Sequence, residues 1–233
     1  MFSDAELASF AKRPYWQLKR IIDFAGAAAL VIITAPIMLL VAIAVAIDVG
    51  APVTFWQQRP GRGGHPIHLT KFRTMAAAHD SHGRRIPDDK RISAIGRFLR
   101  RTRLDELPQL LSILSGDMSF VGPRPLLPID QPPEYAARLL VRPGLTGWAQ
   151  VNGGRDVSAP DKAALDVWYA RNASFWLDVL VILRTIPMVL RGERKNDFYI
   201  QKAWHELKLA GIYRAPASAS GVVVPLNTGT KAA

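Results

Sequence analysis

The stretch Phe24–Ile47, FAGAAALVIITAPIMLLVAIAVAI, is twenty-four residues without a charge, interrupted only by Gly26, Thr34 and Pro36. About 18 or more apolar residues are enough to cross a hydrocarbon core roughly 30 Å thick, and a soluble domain of this size seldom needs such a run. The segment is therefore expected to lie in lipid. Pro36 sits at its middle. Proline removes a backbone N–H and crowds the carbonyl four residues back, so a kink or break is expected at Thr34–Ala35. Two topologies follow. Lys12, Arg13, Lys19 and Arg20 precede the run and Arg59, Arg62, Lys71 and Arg73 follow it. Cationic residues favour the cytoplasmic side, so basic residues on both flanks agree with a segment that enters, bends at Pro36 and leaves by the same face. An ordinary kinked transmembrane helix remains open on the same residues.

About 185 of the 233 residues remain after the run, enough for one globular domain with its own core. Thirty Lys and Arg against nineteen Asp and Glu give +11, a balance that seeks anions: acidic headgroups, nucleotide phosphates or nucleic acid. No cysteine is present, which excludes disulfides, thiolate metal sites and a cysteine nucleophile. The apolar run is too long for the core of a signal peptide.

Four divisions are expected: an interfacial segment over 1–20, the re-entrant membrane helix over 21–47, a catalytic domain over 48–214 and a disordered tail over 215–233. Tyr15 and Trp16 beside Lys19 and Arg20 are the aromatic and cationic residues that favour the headgroup layer. Asp23 is placed to pair with Lys19 or Arg20 at helical spacing. Residues 53–58 and 67–73, joined by the loop RPGRGGHP, read as a β-hairpin whose glycine-rich loop, with Arg59 and Arg62, can wrap a phosphate or simply turn the chain. Residues 76–95 read as a mobile polar loop, in which His79, Asp80 and His82 lack the spacing of a metal site. Helix is expected from Gly96, then extended loop up to Pro133, helix over 134–140, and loop and turn over 141–155. Helix is expected again over 161–172, and over 175–190 with Ser174 as cap, the last of these interfacial or core. The resulting class is mainly α with a small β-hairpin.

The phosphate-handling signal is Arg100-Arg-Thr-Arg-Leu-Asp-Glu-Leu-Pro. Adjacent helical residues project about 100° apart, so Asp105 and Glu106 cannot share one proton as a facing pair. They can divide the work: one attacking phosphorus, the other holding a Mg²⁺ that neutralises a diphosphate, with substrate oxygens completing the coordination. The plainer alternative is a cap, from Thr102 or Asp105, on a helix beginning near Pro108. Arg97, Arg100, Arg101 and Arg103 form a cationic patch beside the pair, expected to keep Asp105 ionised.

The order of segments decides between these. KRIIDFAGAAALVIITAPIMLLVAIAVAID, PVTFWQQRPGRGGHPIHLTKFRTM, RRTRLDELPQLLSILSGDMSFVGPRPLLP, VRPGLTGWAQVNGGRD and LDVWYARNASFWLDVLVILRT resemble, in order, the bacterial sugar transferases, the monotopic polyprenyl-phosphate phosphoglycosyl transferases. The likeness runs from Lys19 to Gly192. It implies a Mg²⁺-dependent enzyme of the bacterial inner membrane, on its cytoplasmic face, at the first membrane step of glycan or exopolysaccharide synthesis. The reaction implied moves a sugar-1-phosphate from a nucleotide diphosphate sugar, with UDP the expected nucleotide, to undecaprenyl phosphate and releases UMP through an aspartyl-phosphosugar intermediate. By resemblance Asp105 is the nucleophile, Glu106 its metal-binding partner, and Pro36 the break of a re-entrant helix. Arg124 with Pro123 and Pro125 is the substrate loop, Arg100 contacts phosphate, and Arg59 and Lys71 are further substrate-binding cations. Interfacial amphipathic helices and aromatics such as Trp168, Tyr169 and Trp176 are expected to hold the domain on membrane lipids. Two positions depart from the family pattern: Ala35, where serine often precedes the proline, and Asn152-Gly-Gly-Arg-Asp in place of NGRN. The likeness covers the minimal catalytic form. Rival readings are a membrane-anchored basic protein for nucleic acid or anionic lipid, and a structural adaptor; no recognition helix or aromatic-basic RNA motif supports nucleic acid as a partner. Nothing in the sequence bears on oligomeric state.

Overall fold

The computed structural model describes residues 9, 13–79, 82–130 and 133–210. The expected tail over 215–233, most of the interfacial segment over 1–20 and Asp80 lie outside these residues. The first helix, α1, runs from Tyr15 to Asp48, 34 residues and about 50 Å at 1.5 Å per residue. It is long and apolar enough to cross a bilayer. Of the expected kink or break, the break is absent: the helix is continuous through Pro36. The proline forfeits one backbone bond, to the carbonyl one turn back, and the turns on either side carry the helix past it. Just before it the Thr34 hydroxyl donates to the Leu30 carbonyl at 2.7 Å, a local contact of the kind that lets membrane helices tolerate proline.

One stripe of α1 packs against the rest of the chain. Lys19, Asp23, Ala27, Val41 and Val45 are buried, while Ile21, Ile32, Ile33, Leu39, Leu40 and Ile47 stay exposed. The spacing of about four residues is that of a single helical face. Its middle, Ala27 with Val31, packs on Ile67, Leu69, Leu110, Ile113 and Met118. Val41 and Val45, with Met38 and Ala42, pack on Phe72 and Leu99. Both ends are tied by polar contacts. Lys19 pairs with Asp178 and, at 3.6 Å, with Asp23, which also accepts from the Ser119 hydroxyl at 2.7 Å. At the other end Asp48 accepts from the Ser93 hydroxyl.

The expected hairpin is present. β1 (Thr54–Pro60) pairs antiparallel with β2 (Pro66–Phe72), setting Gln57 opposite Leu69 and Arg59 opposite Ile67. The described residues of 76–95 are more ordered than the expected loop: Met75 bridges Ile92, His79 bridges Arg85, and α2 (Asp88–Arg91) forms a single turn. Then come α3 (Ala94–Thr102), capped by the Ser93 hydroxyl, and α4 (Gln109–Ser115). Arg20 donates to the Ile113 and Leu114 carbonyls at the end of α4, at 2.5 and 2.8 Å, satisfying oxygens the helix leaves unpaired.

The stretches expected to be loop contain a second, parallel pair, β3 (Ser119–Val121) with β4 (Gly144–Thr146). Its approach is so close that a Cβ on Gly144 would fall 2.1 Å from the Gly122 nitrogen, so the glycines that made these segments look like loop are what let them pair. Between the two strands, Pro133–Leu140 is 3₁₀ rather than α. After β4 follow α5 (Trp148–Val151), α6 (Ala159–Asn172), α7 (Phe175–Arg191) and α8 (Asp197–Leu209). Ser158 and Ser174 cap α6 and α7. The sequence reading did not include α8. Two of the three expected interfacial aromatics are core residues: Trp168 is 8% exposed and Tyr169 fully buried, stacked among Trp148, Leu165, Val181 and Ile200. Trp176 is 76% exposed, beside exposed Phe175, Leu183, Ile186 and Leu190 on α7.

Candidate active site

Helix α3 stops at Arg103, whose φ of 60° is left-handed and the one positive φ at a non-glycine among the described residues. Such a conformation costs on the order of 1–3 kcal/mol and persists where its surroundings hold it. Here the Arg103 guanidinium meets Glu106 at 3.7 Å and Glu193 at 3.4 Å. The reversal starts a 3₁₀ turn, Leu104–Glu106, rather than a continued α-helix. Leu104 and Leu107 face the core and anchor the turn on both sides. Successive residues of a 3₁₀ turn project about 120° apart, so Asp105 and Glu106 point in different directions, as the helical estimate also required.

Both carboxylates are buried at 7% exposure and line an open cleft. Arg59, Lys71, Arg100, Arg101, Arg103 and Arg124 line it. Glu106 Oε1 receives Lys71 Nζ at 2.5 Å and Arg124 Nη2 at 3.2 Å. Burial alone would raise the Glu106 pKa, but Arg124, Lys71 and Arg103 together hold it below the usual carboxylate range. Asp105 goes the other way. Burial first, and the Glu106 charge second, push its carboxyl up, and Lys71 and Arg103 only partly offset them. Lys71 and Arg103 thus favour the ionised Asp105 in the direction expected, but burial and the Glu106 charge outweigh them. Asp105 Oδ1 is buried without a hydrogen-bond partner.

Among the described residues no group of three or more His, Cys, Asp or Glu is arranged to hold a metal. The carboxylates that line the cleft are Asp105, Glu106, Asp156 and Glu193, and Glu106 Oε1 is already taken by Lys71 and Arg124. Mg²⁺ bound by one or two carboxylates and completed by phosphate oxygens fits this supply.

The structure thus gathers Asp105, Glu106, Arg59, Lys71, Arg100 and Arg124 in one cleft. Arg100 Nε also donates to Thr74 Oγ1 at 2.9 Å. Pro125 lines an adjoining cleft of about 450 Å³. Pro123 is buried behind it, and its carbonyl accepts from Gly144 N at 2.9 Å, so it shapes the loop from outside the cleft. Pro36 lies on α1, away from the cleft, and Arg97 faces outward to the Ile92 carbonyl. Sequence reasoning missed Gln109 and Glu193. Gln109 is 3% exposed, with Nε2 unpartnered, in the wall of the adjoining cleft; its signal was a polar residue at a helical core position among leucines.

A long apolar helix fixed along a domain whose buried carboxylates sit among arginines and a lysine defines a membrane-associated enzyme for phosphate esters. The comparisons make this specific. The family model for bacterial sugar transferases matches residues 14–192, and the chain belongs to that family. It is a phosphoglycosyl transferase. It is 47% identical over 180 residues to the uncharacterized sugar transferase EpsL of Bacillus subtilis, covering 76% of this chain and 89% of that one. To the UDP-glucose:undecaprenyl-phosphate glucose-1-phosphate transferase of Caulobacter vibrioides it is 41% identical over 190 residues, 74% and 69% of the two chains. To the UDP-N-acetylgalactosamine-undecaprenyl-phosphate N-acetylgalactosaminephosphotransferase of Aeromonas hydrophila it is 38% identical over 199 residues, covering 80% of this chain and 47% of the relative.

Proposed function

We propose that this protein transfers a sugar-1-phosphate from a UDP-sugar to undecaprenyl phosphate, releasing UMP, at the first membrane step of a bacterial surface glycan. The observation that carries the reading is the unequal treatment of the two acids: Glu106 clamped by cations, Asp105 buried with an oxygen left free. A free carboxylate oxygen beside a cationic cleft is what a nucleophile toward phosphorus requires. An Asp105 oxygen bonds to the β-phosphorus as the bond from that phosphorus to the bridging oxygen breaks, and UMP leaves with the electron pair. A phosphate oxygen of undecaprenyl phosphate then attacks the same phosphorus. The Asp105–phosphorus bond breaks, giving the diphosphate-linked sugar and a restored carboxylate. Lys71, Arg100 and Arg124 hold the phosphoryl oxygens and balance the charge that builds on them. Glu106, with Asp105 beside it, would hold Mg²⁺, which when bound neutralises charge on the donor diphosphate.

The proposed topology is monotopic, with α1 bent at Pro36, both its ends and the domain on the cytoplasmic face of the inner membrane, and Pro36 deepest. Its support is that both ends of α1 are tied to one domain, Lys19 to Asp178 and Asp48 to Ser93, and that one buried stripe follows the helix between them. A helix packed in this way presents its exposed apolar side to lipid while the domain stays at the surface. The outward apolar residues of α7, Trp176 among them, suit the same interface. There the reactive phosphate of a polyprenyl chain lies at headgroup level.

The test is turnover in detergent or nanodiscs with undecaprenyl phosphate and a panel of UDP-sugars. UMP release that depends on Asp105 and Mg²⁺ supports the reading; full activity in chelator, or in Asp105→Asn, contradicts it.

A further inference from the structure

Two clefts meet at Arg124, and their unpaired buried atoms are of opposite kinds. The first, about 450 Å³, is walled by Arg59, Lys71, Gln109 and Arg124, and the buried polar atoms without partners there are donors, Arg59 Nε and Gln109 Nε2. The second, about 610 Å³, is walled by Arg103, Arg124, Gln150, Lys162, Asp166 and Glu193. Its unpartnered atoms are acceptors, Gln150 Oε1 and Asp166 Oδ1, on side chains 5% and 1% exposed. Gln150 Nε2 donates to the Leu145 carbonyl at 3.2 Å, which leaves Oε1 as the free end of the amide. Asp166 Oδ2 is taken by Arg138, at 2.8 Å from Nε and 2.6 Å from Nη2.

A buried acceptor without a donor is costly, so a ligand that brings hydrogens to it is favoured. A diphosphate brings acceptors and negative charge. Those acceptors match the unpaired donors of the first cleft, whereas the unpaired Gln150 and Asp166 oxygens of the second offer it no hydrogen. A neutral ring bearing hydroxyls brings donors. We propose that the Gln150–Asp166 cleft is the subsite for a hydroxylated ring of the sugar-nucleotide donor, hexose or ribose. This rests on the donor assigned above. Arg103, Arg124 and Glu193 belong to this cleft and to the catalytic one alike, so a ring joined to the reacting diphosphate reaches it without leaving the site.

The test compares donors lacking single hydroxyls in the full-length enzyme and in Gln150→Met. One arm uses the donor built on 2′-deoxyuridine; the other uses UDP-hexoses deoxygenated at one position of the sugar. The wild type should lose about tenfold in kcat/KM with a deoxy donor from one arm, the size expected when a buried acceptor loses its partner. Gln150→Met should shrink that ratio to about twofold or less. Loss in the first arm assigns the ribose and loss in the second the hexose. Because each ratio is taken within one preparation, a reduced folded fraction cancels. A wild type indifferent to every deoxy donor, or a variant as discriminating as the wild type, overturns the subsite. Absence of turnover by the wild type with every UDP-sugar overturns the donor reading itself, and the subsite with it.

Discussion

Lys71 Nζ lies 2.5 Å from Glu106 Oε1, and the neighbouring acid, Asp105, has no such partner for Oδ1. The pair therefore splits, Glu106 downward and Asp105 upward. The split has a consequence for pH. The Glu106 charge is one of the two causes that raise Asp105, so Glu106→Gln should lower kcat at least tenfold while moving the acid limb of kcat/KM to lower pH. The sign follows because catalysis needs Asp105 ionised, and removing a neighbouring negative charge makes ionisation easier. Steady-state rates between pH 5 and 9 check it; a limb that stays or moves upward contradicts it.

Arg103 is held left-handed at the turn that aims both acids. Glycine adopts that conformation without strain and alanine does not, so Arg103→Gly should be more stable than Arg103→Ala by about 1 kcal/mol. Both lose the ion pairs to Glu106 and Glu193, so both should lose activity alike. Thermal unfolding in detergent measures the first difference and initial rates the second.

At the start of α1, Lys19 sits between Asp178 and Asp23, all three buried. Lys19→Met would leave two buried carboxylates short of their cation. The expected cost is about 3–5 kcal/mol, the range for breaking a buried pair from one side. The loss should show as a lowered unfolding midpoint and as proteolysis near the junction of α1 with the domain. An unfolding midpoint unchanged from wild type would mean the contact is not formed in the membrane.

The topology can be tested with single cysteines, since the chain has none of its own. Gln17→Cys, on the first turn of α1, and Asp89→Cys, in the domain, are at exposed positions. Both should resist an impermeant maleimide in intact cells and react after lysis. Labelling of one alone in intact cells means a spanning helix.

Much of this site could be read from the sequence because its parts are local. The pair Asp105–Glu106, the arginines before it, the hairpin with Arg59 and Lys71, and the PRP loop with Arg124 each lie in a short segment. Long-range relationships were less legible. The parallel pairing of β3 with β4 joins residues about 25 apart through glycines that read as turns. Trp168 and Tyr169 resemble interfacial aromatics until α8 covers that face, and the signal for α8 was Ile200, Ala203 and Leu207 recurring at helical spacing. The Asp105 shift depends on burial by side chains from several elements, which no local pattern records. Pro36 predicts a kink or break by its own chemistry, and α1 passes it without a break, with the Thr34 hydroxyl bonded to the turn before it.

The covalent step is the center of the account. Wild-type enzyme, given a UDP-sugar without undecaprenyl phosphate, rapidly quenched in acid and digested, should yield the peptide containing Asp105 heavier by one phosphosugar. The adduct should be absent in Asp105→Asn and should disappear when undecaprenyl phosphate is added before the quench. Normal turnover with lipid and no adduct at any quench time would contradict the account, leaving direct transfer with Asp105 as base or metal ligand.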